Sequence, residues 1–495
     1  MLVWLILLGI FTYLIVQRSV ASITRTPVWI LWLVMMLPAF VWTAWILANG
    51  ENAPIPLLLL LGPFIICPVL YYFLIQWGRP APSDRPDAAM KAKALSEQAL
   101  QAVDKRAVLR PIDKQEEALL QGCFPWSVYY LQNIEYRPQA LICRGQLRAS
   151  PEVAYKTIQE NIEDKFGDRF LVIFQEGMNG KPFFALVPNP QLQAAAQPDL
   201  QRLNRPGLAV FLLVTTLFTT TWAGIAMANP SVEEVAFEFS ALSAGLPYGL
   251  SLMAILGVHE LAHYLTARRY NIRATLPYFI PIPYTLLFPF GTFGAFIQIR
   301  APIPHRKALF DVGIAGPIAG FLMAVPILFW GLAHSTAVPL TEESSLFNFE
   351  SFNPMASLFV AVLAKLALGS NLTSTSALQL HPVAIAGCLG VVITALNLMP
   401  IGQLDGGHIV HSMFGQRMGA LIGQVARLLI LALSFVQQEF LLWAILLFFI
   451  PAVDEPALND VSELDNLRDF CGLLALALLV MIILPAPQTV IQFLF

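Results

Sequence analysis

The stretch Leu252–Leu265, LMAILGVHELAHYL, places three ionisable side chains inside an otherwise apolar run. Residues four apart lie on one face of a helix, so His259 and His263 point to the same side, with Glu260 about 100° around the axis. Ionisable groups deep in a bilayer cost at least about 2.5–3.5 kcal/mol each and persist mainly where they function or are paired. The stretch therefore predicts a membrane helix that carries a functional site.

The composition of the whole chain is that of a membrane protein. Of its 495 residues, 57% are hydrophobic and 12% are charged, against roughly 45–50% and about 25% in soluble chains. Because crossing a bilayer takes about 20 apolar residues, we expect a polytopic α-helical membrane protein with about eight to ten transmembrane helices. The clear candidate spans are Leu2–Val20, Val28–Ala48, Pro56–Gln76, Leu208–Ala228, Leu246–Ala267, Leu309–Leu332, Leu380–Leu398, Gly419–Phe435 and Phe470–Phe495, with Met355–Leu368 and Phe440–Ile450 as shorter ones.

Charge and cysteine content exclude several classes of function. The net charge of −3 gives no sign of nucleic-acid binding. The five cysteines are scattered without C-x-x-C spacing, which indicates neither a disulfide framework nor a cysteine-built zinc site.

Changes in composition along the chain predict three domains. Residues 1–77 form a membrane block of three helices, residues 78–206 a polar α+β domain between helices 3 and 4, and residues 207–495 a second membrane region. In the polar domain, Ala88–Leu109 is typical of an amphipathic helix. Arg169–Phe174 and Pro182–Val187 are typical of strands, with Asn179-Gly180 as the turn between them.

The charges of the connecting segments predict an orientation, because Lys and Arg are retained on the cytoplasmic side of short loops. The segment 267–307 has six basic residues and no acid, whereas 229–243 and 335–353 each have three acids and no Lys or Arg. This alternation places the polar domain and the end of the His259 helix on the cytoplasmic side. The segment 454–469 fits this charge rule poorly. A simple helix count puts it on the cytoplasmic side, although it has six acids and only one Arg.

The sequence H-E-x-x-H at 259–263 has the spacing of a zinc site. Two imidazoles on one helical face can bind one ion, and Glu260 can handle a water without being a ligand. The alternative interpretation is a polar patch between helices. A catalytic zinc site usually has three protein ligands and one open position, so a third ligand must come from elsewhere in the membrane region.

Asp405 is the candidate for the third ligand. It follows Pro400 and Gly402 in the run NLMPIGQLDGG, residues 397–407, where an apolar helix is broken. Irregular backbone at membrane depth is tolerated where it lines protein or a water cavity. Helix capping is the alternative role for Asp405, and His408 and His411 compete as ligands. Asn397 is a candidate for positioning substrate, with a structural role in its helix as the alternative.

Two further segments of the membrane region have suggestive patterns. Gly291–Ile299 has the composition of a strand after a re-entrant loop, and Pro281 and Pro283 argue against a continuous helix before it. Such a strand is either a simple interfacial hairpin or an edge on which an extended peptide is held. The run Gly316–Gly320, G-P-I-A-G, indicates close helix packing through small residues rather than chemistry.

The pairing of H-E-x-x-H with the distant N-x-x-P-x-x-x-x-D-G resembles the site-2 protease family of intramembrane zinc metalloproteases. Within that family the chain is most similar to the EGY-type branch of cyanobacteria and chloroplasts, through Gly145–Arg148, G-Q-L-R, and the G-P-I-A-G run. The branch typically has G-N-L-R, so Gln146 departs from its pattern. The resemblance covers roughly residues 140–455. It implies Zn2+ bound by His259, His263 and Asp405, with Glu260 as the catalytic residue.

The resemblance also implies a substrate and a location. The expected reaction is hydrolysis of a peptide bond in or near a transmembrane segment of another membrane protein, in a cyanobacterial plasma or thylakoid membrane. Two alternatives belong to other classes. A secondary transporter for a metal or small ion would show internal repeats, and none is evident; a zinc-binding but proteolytically silent membrane scaffold would not require Glu260.

Overall fold

The chain divides into two compact units, residues 1–109 and residues 110–495. A computed structural model describes residues 26–50 and 112–494, except 138–139, 178–179, 190–204, 229–241, 285–288, 342–343, 346–347, 436 and 438–439, together with scattered positions from 9 to 77. In the first unit, helix α1 spans Val28–Asn49 and buries Leu31. The expected helices Leu2–Val20 and Pro56–Gln76 lie largely outside the described residues, and Ala88–Leu109 lies entirely outside them.

The polar domain is a four-stranded antiparallel sheet with helices packed against it. The strand order is β1-β2-β4-β3. The two strands expected from the sequence are present and pair with each other as β3 and β4. The elements are α2 (Lys114–Gly122), β1 (Tyr129–Arg137), β2 (Ala140–Leu147), α3 (Pro151–Phe166), β3 (Phe170–Glu176) and β4 (Pro182–Pro188).

The core of this domain follows from two sequence periodicities. Alternate residues of β3 face inward, and residues four apart on α3 cover them. The ring of Phe174 stacks on that of Phe184 at 4.1 Å between centroids, at the centre of this core. The inward residues of β3 and α3 are Phe170, Val172, Phe174, Ala154, Ile158 and Ile162.

The rest of the second unit is mostly helical. Its elements are α4 (Pro206–Ala228), α5 (Leu242–Arg269), β5 (Tyr278–Pro281), β6 (Thr292–Phe296), α6 (Arg306–Ala333), β7 (Thr336–Pro339), α7 (Leu358–Leu368), β8 (Ser376–Gln379), α8 (Pro382–Leu398), α9 (Asp405–Phe414), α10 (Gln416–Ser434), α11 (Leu441–Phe449), α12 (Asn466–Ile483) and α13 (Gln488–Leu494). Helix α6 lies at the centre and packs against α5, α7, α8, α9 and α12.

Six helices of the described residues are long and apolar enough to cross a membrane, namely α1, α4, α5, α6, α10 and α12. Helices α7 and α8 are apolar but shorter. The chain is thus a multi-pass membrane protein, and the total of eight to ten crossings stays a prediction. The expected span Phe470–Phe495 differs in the structure, because α12 ends at Ile483 and α13 begins only at Gln488. Pro485 and Pro487 lie between them and cannot donate the helical hydrogen bonds.

A short segment of the chain, residues 458–460, joins the sheet to the membrane helices. The Asn459 segment pairs in parallel with Phe174 at the free edge of β3 and in parallel with His305 just before α6. The amide of Phe174 donates to the carbonyl of Leu458 at 2.6 Å, and the amide of Leu458 donates to the carbonyl of Ile303 at 2.8 Å. Backbone hydrogen bonds of this segment therefore link the edge of β3 to the residues just before α6.

Candidate metal centre

Helix α5 presents three adjacent polar side chains to the interior of the membrane region. His259, Glu260 and His263 are 4%, 7% and 6% exposed. The surrounding helix is apolar, and its other buried residues include Leu252 and Leu256. Because the three groups are removed from water, each needs a partner inside the protein.

Asp405 reaches the same place from a sharp turn between α8 and α9. Helix α8 ends at Leu398, and α9 begins at Asp405. Gly402 in this turn has φ +48, and a Cβ there would lie less than 3.0 Å from the carbonyl oxygen of Pro451. Only glycine fits such a position without strain. The turn places the Asp405 carboxylate at the first position of α9, close to α5.

The structure brings the two histidines and the aspartate together. His263 Nε2 lies 3.1 Å from His259 Nε2 and 3.2 Å from Asp405 Oδ2. His259 Nε2 lies 3.6 Å from the same carboxylate oxygen. Among the described residues, this is the group of three or more His, Cys, Asp or Glu whose donor atoms converge closely enough for one metal ion.

The spacing of these atoms fits zinc. Tetrahedral ligands at about 2.0–2.1 Å from zinc stand about 3.3 Å apart, close to the three observed separations. The space beside the ligand atoms is kept open by Gly316 of α6, where a Cβ would lie less than 3.0 Å from His263 Nε2. Two imidazoles and one carboxylate are also a donor set that zinc accepts in catalytic sites.

A second contact fixes the protonation of His263. Its Nδ1 lies 2.8 Å from the backbone carbonyl of Val312 on α6. A carbonyl only accepts hydrogen bonds, so Nδ1 carries the proton and donates it to Val312, which leaves Nε2 with a lone pair for a metal. Helix α6 thus orients this candidate ligand as well as making room for it.

Glu260 and Asn397 complete the surroundings of the three donors. Glu260 faces the backbone N–H of Ile297, the residue that follows strand β6. The side-chain amide of Asn397 lies 3.2 Å from His259 Nε2. Glu260 therefore stands between the candidate metal ligands and the β5–β6 hairpin, and Asn397 lies beside His259.

The two other histidines near Asp405 belong to a separate cluster. The Nδ1 atoms of His408 and His411 each lie 2.8 Å from Oδ2 of Asp454, and His411 Nε2 lies 2.9 Å from Asp460. Burial alone would lower the pKa of His411, but the two carboxylates outweigh it and raise the pKa to about 9. Asp454 and Asp460 come from the acidic segment that fits the charge rule poorly, and here both are buried.

The G-P-I-A-G run, predicted to favour close helix packing over chemistry, lies directly against the candidate ligands. Gly316 borders His263, and a Cβ at Gly320 would lie 3.0 Å from Nδ1 of His259. A Cβ at Gly313, one turn earlier, would contact Asp405 O at 3.2 Å. The spacing of glycines in an apolar helix indicates close packing, but the sequence does not indicate which helix packs against it.

Comparison with known families agrees with this geometry. Residues 248–437 match the model of Peptidase family M50, and residues 118–194 match the EGY3 middle domain. The first range contains the two histidines, Glu260 and Asp405, and the second covers all four strands of the sheet. Residues 248–437 are therefore a domain of the site-2 protease type, Peptidase family M50.

The chain is also similar to zinc metalloproteases of the EGY type. It is 29% identical over 377 residues to the probable zinc metalloprotease EGY2, chloroplastic, of Oryza sativa subsp. indica, covering 75% of this chain and 66% of that protein. It is 28% identical over 403 residues to EGY2 of Arabidopsis thaliana, covering 80% and 68%. EGY1 of Arabidopsis thaliana is 27% identical over 377 residues, covering 70% and 66%. The chain thus spans about two thirds of the length of these relatives. No solved structure matches it.

Proposed function

We propose that this chain is an intramembrane zinc metalloprotease that hydrolyses peptide bonds in or near transmembrane segments of other membrane proteins. The observation that carries the proposal is the convergence of His259, His263 and Asp405, from two helices far apart in the chain, with Glu260 beside them. The names of the EGY relatives, as probable zinc metalloproteases, support the same activity.

In this proposal the three converging side chains hold zinc and Glu260 moves the proton. Zinc supplies Lewis acidity, which makes a water molecule acidic near neutral pH and polarises a carbonyl. Glu260 accepts the proton of the attacking water and passes it to the nitrogen of the leaving amine. Val312 holds the His263 ring in the tautomer that leaves Nε2 available. Asn397, beside His259, positions the substrate.

The β5–β6 hairpin offers an edge for the substrate. Strand β6 pairs with β5 through Ala295 and Phe296, and its Phe293 and Phe296 are 64% and 47% exposed. Glu260 faces the amide of Ile297, directly after β6. A transmembrane helix hides its carbonyls in internal hydrogen bonds, so a substrate must unwind before attack. Pairing with β6 would hold the unwound segment extended beside Glu260.

The arrangement along the chain extends the proposal to domains and sidedness. Residues 1–77 form a helical membrane block, 78–206 the polar domain and 207–495 the protease core. The Arg-rich connection around Arg268 and Arg306 supports a cytoplasmic position for the polar domain and the end of α5. Cleavage then occurs toward that face.

The test is Glu260→Gln in the full-length protein, purified and reconstituted in vesicles with a single-span model membrane protein whose helix contains glycine and proline. We expect bound zinc to stay at the wild-type level and cleavage to fall by about 10²–10⁴-fold, the usual contribution of a general acid–base residue. Unchanged cleavage would remove the proposed mechanism.

Two further measurements separate the alternatives. His263→Ala should lose both zinc and cleavage, because it removes a ligand whose Nε2 lies among the converging donors. Zinc flux into the same vesicles, measured without substrate, should equal that of empty vesicles. A zinc flux that depends on Asp405 would instead support the transporter.

A further inference from the structure

One end of the polar domain's sheet faces the bilayer. The Asn459 segment pairs in parallel with both Phe174 and His305, so β3 runs in the same direction as the stretch that leads into the membrane helix α6. An ion pair gives the same orientation independently, because Lys307 in the first turn of α6 lies 2.7 Å from Glu152 in the first turn of α3. Glu152 follows the end of β2. The ends of β2 and β3 therefore lie toward the membrane.

The register of the sheet extends this orientation to β1. Glu176 at the end of β3 pairs with Pro182 at the start of β4, and Tyr129 at the start of β1 pairs with Leu147 at the end of β2. All four positions belong to the bilayer-facing end. Arg137, where β1 ends, lies at the opposite end.

The bilayer-facing end carries an exposed aromatic–arginine patch, which consists of Trp126, Tyr130 and Arg148. Trp126 is 71% exposed and Tyr130 is 46% exposed. The guanidinium carbon of Arg148 lies 5.7 Å from the Trp126 ring centroid and 5.3 Å from that of Tyr130. Within the described part of the chain, Arg148 has no carboxylate partner. Arg148 is also the last residue of the G-Q-L-R run, which the metal centre does not use.

We propose that the aromatic–arginine patch binds phospholipid headgroups at the bilayer surface. Tryptophan and tyrosine favour the headgroup region, because their rings are apolar and their N–H and O–H groups remain hydrated. An unpaired arginine beside them recognises lipid phosphate, since its planar fork matches phosphate oxygens. Together they anchor the free β1 edge of the domain, while the Asn459 segment anchors the β3 edge. The proposal is independent of the proposed protease activity.

The experiment measures how close the patch lies to lipid in the full-length protein. The native cysteines are first replaced. A fluorophore is then attached to a new cysteine at one of two exposed positions. Gln146→Cys labels the residue that pairs with Tyr130 in the patch, and Arg137→Cys is the control at the opposite end of the sheet. The protein is reconstituted in nanodiscs that contain lipid with a nitroxide on its headgroup. We expect quenching at 146 to exceed that at 137 by about threefold or more, because a nitroxide quenches only a fluorophore that it approaches closely, and the two positions lie about 20 Å apart along the strands. Equal quenching at the two sites would overturn the proposal.

Variants of the patch test its chemistry. Trp126→Ala with Tyr130→Ala should lower quenching at 146 to the level at 137, with the circular dichroism spectrum unchanged, since both side chains are largely exposed. In nanodiscs that contain phosphatidylglycerol, Arg148→Gln should lower the equilibrium constant for docking of the patch on lipid, taken from the quenching at 146, by about fivefold. Arg148→Lys should restore only part of it, because lysine keeps the charge but lacks the planar fork. Quenching that persists without the patch residues contradicts the proposal. A fluorescence change at position 146 that occurs only when a single-span protein is added also contradicts the proposal, because it would show that the patch binds a peptide rather than lipid.

Discussion

Gly316 of α6 lies directly against His263, so that a Cβ at this position would come within 3.0 Å of the imidazole Nε2. We expect Gly316→Ala to lower zinc affinity by about 10–100-fold, the usual cost of disturbing groups that orient a metal ligand. The measurement is zinc content after dialysis against a weak chelator.

Gly257→Ala on α5 is the matched control for Gly316→Ala. The nearest atom to a Cβ at Gly257 is 3.8 Å away, in ordinary contact distance. Both changes raise helix propensity by about 1 kcal/mol. The control should therefore retain zinc and be at least as stable as the wild type. Full zinc occupancy in Gly316→Ala would show that α6 does not limit the space at the candidate site.

The pairing of His411 with Asp454 and Asp460 predicts a pH dependence of stability. The pKa of His411 is raised to about 9 in the folded protein, above the unfolded value near 6.5. The stabilisation is then fully present below about pH 6.5 and is lost as the pH rises through about 9. We expect the thermal unfolding midpoint to fall over this range.

Two variants test whether His411 causes this decline. His411→Gln should remove most of the slope. Asp460→Asn should move the decline to lower pH, because one of the two carboxylates that hold the imidazolium is neutralised. His408 and Arg306 also face this cluster, through Asp454 and the carbonyl of His411. An unchanged slope in both variants would assign the pH dependence to other groups.

The bridging role of Asn459 depends on its backbone. Its amide donates to the carbonyl of Pro304 at 3.0 Å. Asn459→Pro removes this donor, and we expect faster hydrogen exchange at the amides of Phe174 and Leu458, which donate to the carbonyls of Leu458 and Ile303. Asn459→Ala keeps the backbone hydrogen bond and loses the side-chain contacts with Val461 and Ser462. Equal exchange in the two variants would mean that this bridge does not hold the sheet.

Arg468 of α12 ties three helices together at one end. Its guanidinium donates to both oxygens of Asp311 on α6 at 2.7 Å, and Tyr270 after α5 donates to the same carboxylate at 2.5 Å. We expect Arg468→Met to lower the free energy of unfolding by about 1–3 kcal/mol, because it leaves a half-buried carboxylate with one partner fewer. Arg300→Met, on an exposed arginine bonded to Gln298, should change it by less than about 0.5 kcal/mol. Thermal unfolding measures both, and equal losses would show that the cluster is not stabilising.

Local pattern was enough to predict the elements that carry the candidate site. The apolar run around His259 predicts α5, and the break at Pro400 and Gly402 predicts the turn before Asp405, because both signals lie within one turn of the residues concerned. The family resemblance then pairs the two segments. The convergence of Asp405 with His259 and His263 is a long-range contact, so the spacing of residues within either segment could not predict it.

Contacts between distant segments could not be predicted from the sequence. The acidic segment 454–469 fits the charge rule poorly, and the structure buries two of its acids, Asp454 and Asp460, against His411. Nothing local distinguishes a solvated carboxylate from one that meets a histidine of another helix. The Asn459 segment likewise has no strand pattern of its own, because its pairing depends on edges supplied by Phe174 and His305.

The Asn459 segment has a consequence for biogenesis. Ribosomal synthesis produces β3 early, but the residues that complete its edge appear only after α10 and α11 have emerged. Until then the free edge of β3 is open to incorrect pairing, and the ends of α6 and α9 lack the contacts that Asn459 and Asp460 supply. Maturation of the metal centre is therefore coupled to the synthesis of residues 458–460, and chains truncated before residue 458 should assemble poorly even though every candidate zinc ligand is present.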